Sequence, residues 1–161
     1  MFPTLSSSIS FLSEWEDIMD EGNIAYECLQ NEEALALYQK ALVLAQDIVA
    51  RKLWLIDSET VGYVMLKIFE SSLAALIVTH NNLANLYVRL GDMDMTRVSL
   101  LRSHTVMFQL LTEGTLNEEM LSIAERHYQR LLENMILFLH ENPSSSENAP
   151  TLSFAPPPRF H

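Results

Sequence analysis

The distribution of helix breakers constrains this chain before anything else does. Of its six prolines, five lie in the last twenty residues, and only four glycines are present in all. The body from about Ser13 to His140 is rich instead in Leu, Ala, Met and Glu, which have high helix propensity. Its apolar residues recur at three- and four-residue spacing, the signature of a helix with one buried face. No stretch alternates apolar and polar residues as a strand would. These features predict an all-α fold, a bundle of about five antiparallel helices.

Caps and stripes place the elements. Ser13-Glu14-Trp15-Glu16 reads as a capping box opening a first helix that runs to about Leu29. The second, from Asn31 to about Arg51, aligns Ala34, Tyr38, Ala41, Ala45 and Ile48 on one face. Asp57 or Ser58 caps a third segment that ends near Leu90, as one long helix or as two that break near Ser71 or His80. Gly91-Asp92 marks a turn. The fourth, Met93 to about Leu111, is expected to bury Val98, Leu101, Thr105 and Phe108, and Gly114 to end it in a left-handed conformation. A second capping box, Thr115-Leu116-Asn117-Glu118, opens a fifth helix with the stripe Met120, Ala124, Tyr128, Leu131, Met135 and Phe138. Residues 1–12 read as an N-terminal extension. Residues 141–161, ENPSSSENAPTLSFAPPPRFH, read as a flexible Pro/Ser-rich tail that cannot build a core.

At 161 residues and 48% hydrophobic composition, the chain can bury a core without staples. The single cysteine, Cys28, rules out an internal disulfide and fits a reducing, cytoplasmic setting. The start lacks the basic and apolar regions of a secretory signal. Ser71 to Val88 carries no charge, but His80, Asn81, Asn82 and Asn85 fall in its middle, so it reads as a buried protein helix and not as a membrane span. A formal net charge of −11 argues against nucleic acid and anionic membrane as partners. The acids Glu14, Glu16, Asp17, Asp20, Glu21, Glu27, Glu32 and Glu33 crowd the first hairpin. They read first as a solvated face that keeps an apolar protein soluble, and alternatively as a surface that steers a basic partner.

Two stretches resemble tetratricopeptide (TPR) hairpins. In GNIAYECLQNEEALALYQKAL, Gly22 matches the small residue where two helices cross, and Ala34, Tyr38 and Ala41 match the series on the second helix. In NNLANLYVRLGDMDMTRVSLLRS, Leu83, Ala84 and Tyr87 match the first-helix signature, Gly91-Asp92 the turn, and Thr96, Leu100 and Ser103 the second-helix series. The hairpins lie further apart than the family's repeat period, and the repeat-ending proline is missing. The order Trp15, Tyr38-Gln39-Lys40-Ala41-Leu42, His80-Asn81-Asn82-Leu83-Ala84 is also similar to a small family of uncharacterised bacterial TPR-like proteins, which implies a bacterial cytosolic context.

The resemblance implies a groove lined by the first helix of each hairpin. By position it is lined by Glu16, Met19, Asn23, Tyr26 and Glu27, and by Val78, Asn81, Asn85, Val88 and Arg89. Asn23 and Asn85 fall at the same place in the repeat and are then candidates to hydrogen-bond a partner's backbone, with Asn81 a further partner-binding candidate on the same lining. Tyr26 would supply apolar contact and Arg89 would pair with an acidic group. Met19 and Asn81 stand where a carboxylate-clamping subfamily needs lysines, so that specialisation is not expected.

Catalytic and metal chemistry have little support in the sequence. His80, His104, His127, His140 and His161 show no metal-ligand spacing. Cys28 has no basic neighbour in sequence to activate it. No phosphate loop, GxSxG elbow or HExxH motif occurs. Glu32-Glu33 and Glu118-Glu119 sit in first turns, where they complement the helix dipole. The expected function is a non-enzymatic protein–protein interaction module, without cofactor or metal: an adaptor, holder or regulator. The alternative is a structural homo-oligomer, most simply a two-fold dimer, because two hairpins leave apolar ends to cover. A cryptic enzyme or metal site ranks last.

Overall fold

The computed structural model describes residues 4–55 and 62–142. Among them the protein is an all-α bundle of five helices: α1 (Leu5–Glu27), α2 (Asn31–Ala50), α3 (Gly62–Arg89), α4 (Met93–Thr112) and α5 (Glu118–Glu141). The chain divides into two compact units at Ser103/His104, a boundary that falls inside α4. The Asp57/Ser58 cap lies outside the described residues, as does the tail from residue 143.

In the first unit, α1 begins at Leu5 and not at Ser13, which lies exposed in mid-helix. Thr4 is the true N-cap: its side chain accepts from the Ser7 amide at 3.1 Å. The serines that follow, poor helix formers alone, are held by tertiary contact. Ser8 is buried, and its hydroxyl donates to the Leu53 carbonyl beyond α2 at 2.6 Å. The helix stops at Glu27, and the chain reverses through Leu29 in a left-handed conformation (φ 60°).

Helix α2 buries the expected Ala34, Tyr38, Ala41, Ala45 and Ile48. It runs antiparallel to α1, with Gly22 against Tyr38 and Ser8 against Leu53. A Cβ added at Gly22 would stand 2.8 Å from the Tyr38 ring, so only glycine permits this approach. Around the crossing, Ile18, Met19, Ala25, Ala34, Tyr38, Ala41, Leu83, Leu86 and Tyr87 form one core cluster. Trp54, buried after α2, meets the Phe69 ring edge-on at 5.0 Å. Burying such a large side chain contributes about 1.5–3 kcal/mol.

Helix α3 passes through both suspected break points without interruption. Beside those points, Ser72 donates to the Ile68 carbonyl and Thr79 to the Ala75 carbonyl, each at 2.6 Å. They are satisfied within their own helix. By length and apolarity alone α3 passes as a bilayer-crossing helix, with 44% of its most apolar window buried. Here it buries residues from Ile68 to Tyr87, and Thr79 and Asn82 bond to α1.

Gly91 (φ 74°) and Asp92 make the next turn, and the Asp92 carboxylate accepts from the Met95 amide. The α4 face differs from the expected one. Thr96, Ser99, Leu100 and Ser103 are buried in the first unit, while Leu101 is exposed and Val98 half-buried. Small hydroxyl residues allow close packing, and the Thr96 hydroxyl returns to the Asp92 carbonyl at 2.9 Å. The same correction holds in the second unit, where α4 buries Met107, Leu110 and Leu111, and Thr105 and Phe108 are exposed. Gly114 has the expected positive φ. Helix α5 is capped by Asn117, whose side chain accepts from the Met120 amide at 2.9 Å, and not by Thr115, which bonds to Glu113. Its stripe is Met120, Ile123, Ala124, Tyr128, Leu131 and Met135.

Candidate functional site

Three contacts define the seam between α1 and α3. The Trp15 indole donates to the Thr79 hydroxyl at 2.9 Å, Asn23 meets Asn82, and Arg89 reaches Tyr26. The contacts advance along both helices in the same direction, so α1 and α3 run parallel, side by side. The residues expected to bind a partner lie along this seam.

Asn23 is the junction of three helices. Its carbonyl oxygen accepts from the Tyr38 hydroxyl of α2 at 2.8 Å and from the Asn82 amide of α3 at 2.9 Å. Burial holds the Tyr38 phenol above its ordinary pKa, and the neighbouring Tyr26 adds to that shift. Met19 is buried, with its sulfur 3.7 Å from the Thr79 hydroxyl. Arg89 lies 3.4 Å from the centre of the Tyr26 ring. It donates to the Tyr26 carbonyl at 2.7 Å and to the Asn31 side chain at 3.2 Å. A cation on the last carbonyls of α1 is well placed for the negative end of its dipole. Asn23, Tyr26 and Arg89 thus have partners within the chain. Glu16, Glu27, Val78 and Asn85 are exposed, and Asn81 and Val88 are half-buried. Neither Asn81 nor Asn85 has a side-chain hydrogen bond among the described residues.

Sequence reasoning missed the other end of the seam. There Leu5, Ile9 and Leu12 of α1 face Val64 and Ile68 of α3 across a groove of about 440 Å³, rimmed by Ser13, Glu16, Lys67 and Ser71. Leu5, Ile9 and Val64 remain 40%, 53% and 37% exposed. The signal was present: Leu5, Ile9 and Leu12 have helical spacing, visible once Thr4 is taken as the cap. A second groove, about 590 Å³, lies between α1 and α2 beside Ile18, Val43 and Leu44.

The histidines occupy separate environments. His80 is 1% exposed, and neither ring nitrogen has a hydrogen-bond partner among the described residues. Burial, with a contribution from Arg102, lowers its pKa from 6.5 to about 4. In the second unit, His104 Nε2 lies 2.7 Å from the Tyr128 hydroxyl, and its ring stacks on Phe108. Burial lowers the His104 pKa and raises that of Tyr128. Among the described residues no three His, Cys, Asp or Glu side chains gather as a metal site. Cys28 is an exposed thiol.

Fold and seam together define an all-α helical-bundle protein with a groove between two parallel helices. The chain belongs to the family described as protein of unknown function DUF2753, whose profile matches residues 13–152. No curated protein and no solved structure matches it.

Proposed function

We propose that this protein is a TPR-like interaction module that holds a protein or peptide partner along the α1–α3 groove, without catalysing a reaction. The observation that carries this reading is the parallel pairing of α1 and α3. It leaves one continuous seam with free amides at Asn81 and Asn85 and uncovered apolar side chains at Leu5, Ile9 and Val64. The close α1–α2 crossing at Gly22 and the buried Thr96, Leu100 and Ser103 support the TPR-like part of it. Unbonded amides and apolar side chains on one face suit recognition of another chain.

The reading places the protein in a bacterial cytoplasm. It assigns partner contact to Asn81 and Asn85 first, with Asn23, Tyr26 and Arg89 shaping that end of the groove. Pull-down from native cytosol with the parent and with Asn85→Ala or Ile9→Asp tests it. The expected result is a partner recovered by the parent and lost from the groove variants at unchanged circular dichroism. Equal recovery by all three places the partner on another face. A two-fold homodimer is the alternative. The exposed Ile136 and Leu137 on α5 favour it, and light scattering decides it by reporting one or two chain masses.

A further inference from the structure

We propose that the occupant of the α1–α3 groove is an amphipathic α-helix with a basic flank, an inference that rests on the groove reading above. The first argument concerns backbone hydrogen bonds. An extended peptide must find partners for its amides and carbonyls wherever it leaves water. The apolar end of the groove, from Leu5 and Val64 to Leu12 and Ile68, offers only the Ser13 and Ser71 hydroxyls and the charged rim. A helix satisfies its own backbone and brings nothing but side chains.

The second argument is spacing. Leu5, Ile9 and Leu12 follow one another at four and three residues on α1, and Val64 and Ile68 at four on α3. These are ridges of helical period on both walls. The complement to such walls is a third helix, whose own side chains at three- and four-residue spacing pack between the ridges. From Leu5 to Glu16 the groove is about 17 Å long at 1.5 Å per residue, room for about three turns of helix.

Charge selects the flank. Glu16, Asp20 and Glu27 are exposed along α1 at helical spacing, continuing the line of the groove. Lys67 on the opposite rim lies over the Tyr63 ring, 5.0 Å from its centre. A basic edge on the occupant therefore faces α1, and its apolar stripe fills the Leu5–Ile68 end. The first turns of α1 that form one wall of this end precede the residues matched by the family profile, which begins at Ser13, while Val64 and Ile68 on the other wall lie within them.

Fluorescence anisotropy on the full chain tests the proposal with three synthetic peptides. One is a helix with a Leu stripe and Lys flank, the second replaces Lys by Glu, and the third keeps the first's composition but carries two prolines that break the helix. The expected order is Leu/Lys helix tightest, with at least a tenfold loss for Ile9→Asp or Val64→Asp and none for Ile136→Asp on α5. Glu16→Gln with Asp20→Asn should weaken it several-fold and flatten its salt dependence. Ile9 and Val64 are already solvent-exposed, so both variants should keep the parent's circular dichroism, and either alone suffices if the other misfolds. Equal binding of the Glu peptide overturns the basic flank. Equal binding of the proline-broken peptide, with the same loss on Ile9→Asp, overturns the helix while leaving the groove reading intact. Peptide binding that no groove variant changes overturns both. Binding only to equimolar phosphatidylcholine–phosphatidylglycerol vesicles, lost in Ile9→Asp, makes the occupant a lipid surface and overturns the proposal.

Discussion

The two ends of the α1–α3 seam are built from the same two helices yet have opposite character. At the C-terminal end, Asn23 joins Tyr38 and Asn82, and Arg89 covers Tyr26 and reaches Asn31. Those side chains are matched within the chain, while Asn81 and Asn85 beside them are not. At the N-terminal end, Leu5, Ile9 and Val64 stay in contact with water and face one another across an apolar groove. The difference shows how one helix pair can separate holding the fold from meeting a partner. Directional bonds fix the register at one end, and non-directional apolar surface is left free at the other.

The largest expected effect lies at the locked end. Tyr38→Ala removes a fully buried ring from the crossing with Gly22 and should destabilise the protein by about 3–5 kcal/mol in urea unfolding. A loss below about 1 kcal/mol would show that the crossing collapses around the gap. Next comes acid. His80 resembles neither end, being buried with no hydrogen-bond partner among the described residues. Its pKa falls from 6.5 to about 4 in the folded state, so between those values the unfolded chain holds a proton that the folded chain lacks. Stability is then complete above about pH 6.5 and decreases as pH falls toward 4, by roughly 3 kcal/mol in total. His80→Leu should flatten this dependence in unfolding curves recorded across that range, and an unchanged slope would assign it to other groups.

A smaller effect isolates the junction. Asn23→Ala deprives the Tyr38 hydroxyl and the Asn82 amide of their acceptor and should cost about 2 kcal/mol. If unfolding stability is instead unchanged, water replaces the side chain and the locked end is less locked than its distances imply. The smallest is Ile9→Asp, at the open end. It should change unfolding stability by no more than about 0.5 kcal/mol, and a larger loss would mean that the groove is part of the core.

The α2 stripe was legible because alanines and one tyrosine at helical spacing admit a single buried face, and Gly91 and Gly114 because their turns need positive φ. The α4 face was not. Its buried positions include Thr96, Ser99 and Ser103, which hydropathy assigns to water, and only the hairpin resemblance selected Thr96, Leu100 and Ser103. The start of α1 was hidden for a similar reason: three serines weaken the helical signal, and Ser13-Glu14-Trp15-Glu16 imitates a cap. In the site, Asn23, Tyr26 and Arg89, expected to contact a partner, lie on one seam but are engaged within the chain. Their hydrogen bonds to one another's neighbours depend on a partner some sixty residues away in α3, such as Asn82 for Asn23, which no local pattern encodes.

The tether of the first turns of α1 has a dynamic consequence. From Leu5 to Asp17 only Ser8 is buried, and the segment is held by the Ser8–Leu53 bond, the Trp15–Thr79 bond and the Arg51 guanidinium over Phe11 at 5.2 Å. Few buried contacts mean a low free energy of local opening, so amides of the first two turns should exchange with solvent sooner than those of α2 or mid-α3. Those turns are also one wall of the groove. Any ligand seated there binds only the closed segment, so its apparent affinity is scaled by the fraction of time the turns are formed. Occupancy would in turn slow exchange at residues 5–12.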